Sequence, residues 1–217
     1  MIDESDEHVF TDPATFLKFT KKAPCICLTA TCADDAAESI ERVVLQNMNF
    51  RIFENLVGEK FAEAQNPQFE RVKLTTLTSM HDFIEKESTR NAVLLYCTPE
   101  FRSYLEGQCE YTKYIDDQVD LDMLRNLDQQ SGGRFMVLVA DNPDIALRGV
   151  DYRSYSNGIT FITTRPFQHH REMVQAANRV GRGDDKYRRI VLGDADLIDH
   201  LASCTYKGRL VNFINAI

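Results

Sequence analysis

The sequence lacks several features that would assign it quickly. No apolar run is long enough to cross a membrane, and the opening Met1-Ile2-Asp3-Glu4 is acidic where a secretory signal would be basic and then apolar. Both absences point to a soluble, intracellular chain with no membrane partner. The six cysteines (Cys25, Cys27, Cys32, Cys97, Cys109 and Cys204) form no C-x-x-C pair, and several stand inside apolar runs. They read as reduced thiols packed in a core, which argues against a zinc site or a disulfide framework. Positive charge is in deficit, with 25 Lys and Arg against 33 Asp and Glu and a net charge of -8. That balance argues against coating nucleic acid by bulk electrostatics, although a local basic strip over 171–189 can still meet phosphates. There is no internal repeat and no low-complexity segment.

What is present is ordinary for a globular protein: 217 residues, 43% hydrophobic and 27% charged, enough for one large domain or one and a half small ones. Residues 10–22 read as a loop and helix, 23–28 as a buried strand, 34–45 as a helix and 49–53 as a strand. Polar residues with Gly58 and Asn66-Pro67 then mark a connection between lobes. Beyond it, strands at 69–74, 92–98, 135–140, 158–164 and 188–192 alternate with helices at 79–86, from 99–105, 121–129, 166–179 and 197–201. Residues 111–115 read as an edge strand, Ser131-Gly132-Gly133 as a helix stop, and 210–217 as a last docked helix. Such alternation is the signature of a doubly wound parallel sheet, so the expected class is α/β.

Several runs at the ends of these elements carry chemistry. Gln175, Arg179 and Arg182 close a helix followed by Gly183, and the spacing puts both guanidiniums on one side of its final turn. An arginine-rich helix end also serves as a solvated face complementing the helix dipole. Arg148-Gly149-Val150-Asp151 follows the strand at 135–140; glycine lets a ligand approach the backbone and the carboxylate accepts from a hydroxyl or guanidinium. The same four residues also make an ordinary turn. Asp3-Glu4-Ser5-Asp6 offers adjacent carboxylates, or simply a solvated acidic start. Leu28-Thr29-Ala30-Thr31 and Thr98 place hydroxyls after apolar strands. His169 and His170 have no carboxylate or cysteine cluster beside them and read as surface residues rather than metal ligands.

Taken along the chain, the runs at 3–6, 28–31, 92–98, 148–151 and 175–182 resemble motifs II, III, IV, V and VI of superfamily 2 helicases, with the pair at 148–151 and 175–182 the most specific. The resemblance implies a RecA-like fold in three parts: the tail of a first lobe over 1–55, a linker over 56–67 and a complete second lobe over 68–217. It also implies roles. Asp3 would hold magnesium on the phosphates of ATP and Glu4 would orient the attacking water. Arg179 and Arg182 would stabilise charge on the transferred phosphoryl group, as arginine fingers do. Gln175, Gly149 and Asp151 would contact the nucleotide, and Thr29, Thr31, Thr98 and Arg148 would couple its site to single-stranded RNA or DNA.

The sequence departs from that family in ways that shape the expectation. No G-x-x-x-x-G-K-[ST] run exists, so the backbone nest and lysine that hold the β- and γ-phosphates are missing. The chain is therefore expected to use ATP and Mg²⁺ only with a P-loop half supplied elsewhere, for instance by a second polypeptide. Asn178 stands where the family usually has glycine, and Asp141 where a threonine commonly meets a phosphate, a position at which a carboxylate repels nucleic acid. Whether the chain is itself an enzyme stays open. The leading expectation is part of an ATP-dependent helicase or translocase. Its alternatives are a truncated helicase-like binding module and a fragment of a SecA-like polypeptide translocase.

Overall fold

A computed structural model describes residues 67–115, 127–142, 152, 154, 156–167, 170–181 and 186–203, with positions 15, 18 and 22 alone from the first part. The chain divides into two compact units, Met1–Gln65 with Tyr206–Ile217, and Asn66–Thr205. In the first, Thr15, Lys18 and Lys22 are helical, within the loop and helix expected over 10–22. The strands expected over 23–28 and 49–53 and the helices over 34–45 and 210–217 lie outside the described residues.

The second unit is built from β1 (Glu70–Lys73), α1 (Leu77–Ser88), β2 (Ala92–Tyr96), α2 (Pro99–Leu105), β3 (Thr112–Tyr114), β4 (Gln130–Ser131), β5 (Arg134–Phe135), β6 (Val137–Ala140), β7 (Ile159–Thr163), α3 (His170–Ala177), β8 (Tyr187–Gly193) and α4 (Ala195–Ser203). Six strands form one sheet in the order β1-β8-β7-β2-β6-β3, and every neighbouring pair is parallel. The α/β expectation holds.

The sequence of β2, Ala-Val-Leu-Leu-Tyr, has no polar face, and all five residues are buried. Alternate side chains feed two cores. Ala92, Leu94 and Tyr96 meet Met173 and Ala176 of α3 and Ile198 of α4, while Val93 and Leu95 meet Ile84 of α1 and Phe101 and Leu105 of α2. Each fully buried aliphatic side chain contributes roughly 1.5–3 kcal/mol, so this strand alone anchors helices on both faces. Helix starts are set locally: Thr76 accepts from the Ser79 amide at 3.1 Å ahead of α1.

Three expectations need correction. Helix does not run to residue 129, because Leu127 and Asp128 lie in a turn and Gln130 begins β4. Ser131-Gly132-Gly133 is no helix stop. It closes a hairpin in which Ser131 pairs with Arg134. Gly132 and Gly133 have φ of 57° and 78°, the left-handed pair that a two-residue hairpin loop demands. The run 135–140 is accordingly divided, Phe135 ending the hairpin and Val137 beginning β6. Finally, α3 spans His170–Ala177 rather than 166–179; Pro166 and Phe167 are not helical, and Phe167 is buried against the Tyr96 ring.

A polar tie links the edge of the sheet to α1. Glu87 is only 4% exposed, and its Oε1 accepts from Arg188 at 2.7 Å, Asn91 at 3.0 Å and Thr160 at 2.9 Å. Arg188 also donates to both Glu70 oxygens, at 3.0 and 2.6 Å. Its hydrogen bonds hold the Glu70 carboxyl below the usual carboxylate range. A carboxyl depressed on folding contributes stability above its unfolded value and loses it as pH falls through the folded one. Arg188→Ala should therefore lower unfolding free energy by about 3 kcal/mol at neutral pH, since it strands a buried carboxylate. Its deficit relative to the parent should narrow in acid, which urea denaturation at a series of pH values would measure.

Candidate functional site

The strands β2 and β7 are neighbours, yet the helices that follow them pack on opposite faces: α2 buries Phe101 and Leu105 on one, α3 buries Met173 and Ala176 on the other. Chains diverging in this way leave a crevice beyond the carboxyl ends of the two strands, the place where open α/β sheets bind ligands. Here the crevice gathers Tyr96, Thr98 and Arg102 from β2 and α2, Asp141 after β6, and Arg165 after β7.

Two guanidiniums converge on Asp141. Arg102 Nη1 donates to Asp141 Oδ1 at 2.9 Å and Arg165 Nη1 donates to its carbonyl at 2.7 Å. Arg102 also reaches Glu106 at 3.4 Å and lies 5.2 Å from the centre of the Tyr114 ring. Arg165 lies 4.9 Å from the centre of the Tyr96 ring, which stacks on Phe167 at 5.3 Å. The Tyr96 hydroxyl donates to Glu172 Oε1 at 2.8 Å, tying β2 to α3. The side chains of Arg102 and Asp141 are 17% and 23% exposed, so this pair is half sealed from water. Beneath it, burial pushes the Cys97 thiol up to about 12, with the Asp141 charge adding to the rise. Arg102 is already engaged by two carboxylates. As it stands, this crevice is a closed polar latch rather than an open phosphate cradle.

Of the residues singled out in the sequence, Thr98, Gln175 and Arg179 are described; Asp3, Glu4, Thr29, Thr31, Arg148, Gly149, Asp151 and Arg182 lie outside the described residues. Thr98 is the N-cap of α2, and its hydroxyl accepts from the Phe101 amide at 3.3 Å. Gln175 is half-buried on α3. Arg179 falls beyond that helix, in a turn where its amide donates to the Ala176 carbonyl at 3.1 Å, and its side chain is 7% exposed. The expected final helical turn bearing Arg179 is therefore replaced by a non-helical one. Burial raises the Tyr152 phenol well above its ordinary value, and the Arg179 charge holds that rise back. Arg179 thus lies near the residue that directly follows Asp151.

The turn after α3 is fixed from β8. Arg189 Nε donates to the Ala177 carbonyl at 2.8 Å and its Nη2 to Asn178 Oδ1 at 3.1 Å. Burial lowers the Arg189 pKa without removing its charge at neutral pH. Gly181 has φ of 77°, and a Cβ there would stand 2.5 Å from the Tyr187 ring, so this position requires glycine. Arg102, Arg165 and Arg189 were not singled out in the sequence, because their partners are 39, 24 and 11 to 12 residues away.

Among solved structures, this chain is similar to S. cerevisiae Dbp5 bound to RNA and ADP BeF3, with a TM-score of 0.58 and 16% identity over 93% of this chain and 55% of that one. It is also similar to Mss116p, lacking its NTE and C-tail and bound to ssRNA and AMP-PNP, with a TM-score of 0.56 and 13% identity over 94% of this chain and 45% of that one. The shared fold is RecA-like, a parallel sheet flanked by helices. No family model matches the sequence, and no curated protein does. The chain spans about half the length of the two structures. At such identities the likeness carries the fold, and the chemistry has to be argued from this chain's own residues.

The local role of Thr98 is testable. Thr98→Ala should cost about 1 kcal/mol of stability through loss of the cap, with Thr98→Ser restoring most of it. Chemical denaturation of the two variants measures this directly.

Proposed function

We propose that the chain is part of an ATP-dependent superfamily 2 helicase or translocase acting on single-stranded RNA or DNA. Its organisation is the tail of a first RecA-like lobe over 1–55, a linker over 56–67 and a second lobe over 68–217. The P-loop is contributed from outside these 217 residues. The reading is supported by the parallel sheet flanked by helices and by the charge of Arg179 acting on the Tyr152 phenol, the residue that follows Asp151 in the sequence. Two similar structures hold RNA and a nucleotide, which supports the same ligands here.

The donor set suits a magnesium nucleotide. Gly149 offers close backbone approach, Asp151 and Gln175 offer hydrogen-bond partners, and Arg179 supplies a buried cation. Magnesium-bound ATP supplies the phosphoryl group whose transfer drives the motor. Asp3 would hold the metal and Glu4 would orient water. Arg179, which is buried, and Arg182 would present positive charge where phosphate charge develops. Thr29, Thr31, Thr98 and Arg148 connect that site to the nucleic acid.

ATP turnover measured with the P-loop half added in trans tests this. Arg182→Ala should leave nucleotide binding largely in place and lower turnover roughly 10³-fold. Unchanged turnover would remove the arginine from the mechanism, and a strand that never cross-links to the chain would point to a polypeptide substrate.

A second reading, a helicase-like binding module without catalysis, draws on the missing P-loop run and on the latch at Asp141. In either reading Asp141 opposes phosphate by occupying Arg102 and Arg165. Asp141→Thr should tighten binding of labelled single-stranded RNA about tenfold and steepen its salt dependence by about one counterion. Fluorescence anisotropy at several salt concentrations checks both. No change would place the nucleic-acid path away from this crevice.

A further inference from the structure

A second cluster of reactive groups lies on the α1–α2 face of the sheet, away from the carboxyl-end crevice. Cys109, in the turn between α2 and β3, is half-buried, and its Sγ lies 3.1 Å from His81 Nε2 on α1. The other ring nitrogen of His81, Nδ1, faces Asp82 Oδ1 at 3.6 Å. Thiol, imidazole and carboxylate thus stand in the order of nucleophile, base and orienting acid.

Hydrogen-bond donors stand near the sulfur. The Tyr111 hydroxyl, beside Cys109, is buried and has no hydrogen-bond partner, and the same is true of Arg134 Nε. The Arg134 guanidinium lies 5.5 Å from the centre of the Tyr111 ring. Burial, with Cys109 as the next cause, raises the Tyr111 phenol far above its ordinary value, so it remains a donor at any physiological pH. Two orphaned buried donors are costly unless something accepts from them. A thiolate, or the carboxylate of a molecule joined to the sulfur, would do so.

The other charged and titratable groups facing the pair are Glu85 on α1, Tyr104 on α2 and Tyr114 on β3. Glu85 is engaged by Arg134 at 3.2 Å, the Tyr104 ring meets His81 edge-on at 6.3 Å, and the buried Tyr114 hydroxyl has no partner. His81, Asp82 and Glu85 also bring ligand atoms within 4.8 Å of one another, but Arg134 on Glu85 opposes a cation there.

We infer that Cys109 is a nucleophilic thiol site, activated by His81 and Asp82, that exchanges with anionic low-molecular-weight disulfides of the glutathione class. His81 Nε2 takes the thiol proton. The Cys109 thiolate attacks one sulfur of the disulfide, a new S–S bond forms as the old one breaks, and the departing thiolate takes the proton from His81. Cys109 is thereby oxidised to a mixed disulfide and one small thiol is released, with no further oxidant required.

Cys97 is the internal control, since it is wholly buried. Alkylation of the folded chain by iodoacetamide, resolved peptide by peptide from pH 5.5 to 9, should label Cys109 at pH 7 about tenfold faster than the same cysteine in the urea-unfolded chain, with Cys97 unlabelled. The rate midpoint should fall below that of an ordinary thiol near 8.5. His81→Gln should return both rate and midpoint to the unfolded reference, and Asp82→Asn, at an exposed position, should shift the midpoint upward without loss of fold. Oxidised glutathione should add to Cys109 alone among the described cysteines. A Cys109 rate equal to that of the unfolded chain across the pH range, or a midpoint that His81→Gln and Asp82→Asn both leave in place, would overturn the assignment.

Discussion

Everything described in the second unit depends on one constraint, that β2 is buried on both faces along its whole length. A strand with no polar side cannot lie at an edge, and its sequence forces helices onto both surfaces of the sheet. Once α2 and α3 take opposite faces, the crevice at the ends of β2 and β7 follows from chain connectivity alone. Tyr96 shows how burial and site are joined. Its ring belongs to the core, while its face meets Arg165 and its hydroxyl holds Glu172. The last residue of a structural strand is therefore the floor of the candidate site.

Charge in that crevice is arranged against its own emptiness. Two arginines brought together beyond a sheet would repel one another and attract any available anion. Asp141 resolves this internally, its carboxylate taken by Arg102 and its carbonyl by Arg165. The expectation that a carboxylate at this position simply repels phosphate is thus incomplete. Its negative charge is largely matched by Arg102, and its larger effect is to withhold that cation from a phosphate, while the backbone carbonyl of the same residue holds Arg165. For contact with a phosphate, access to these few arginines would matter more than the net charge of -8.

Much of the sheet was legible in the sequence, because its strands are short apolar runs and its helices carry local start signals. The strand at 92–98, the helix at 99–105 and the edge strand at 111–115 correspond closely to β2, α2 and β3. Errors arose where one local signal admits two uses. Ser131-Gly132-Gly133 fits a helix end or a tight hairpin, and only the pairing of Ser131 with Arg134 distinguishes them. Pro166 looks like the first residue of a helix, but burial of Phe167 against Tyr96 keeps the chain out of helix there. At the crevice, the threonine at 98 was visible and Arg102 and Arg165 were not. A hydroxyl after a strand is a local feature, whereas two arginines sharing an aspartate from a third strand are a property of the assembled sheet.

The arginine run at 175–182 illustrates the same division more sharply. Spacing alone puts Arg179 on a helical turn, and on that basis its direction would follow from α3. The helix instead ends at Ala177, and the chain beyond it is held by β8: Arg189 caps Ala177 and Asn178, and Tyr187 closes over Gly181. Asn178 is not a passive residue here, since its side chain is the acceptor that β8 grips. The placement of Arg179 is therefore set by two residues of the following strand. That strand is in turn held in the sheet by Arg188 through Glu87 and Glu70. Consecutive residues of β8 point to opposite faces, so Arg188 secures the strand against α1 and β1 while Arg189 secures the end of α3. The arginine-bearing turn is thus coupled to the edge of the sheet through a single strand.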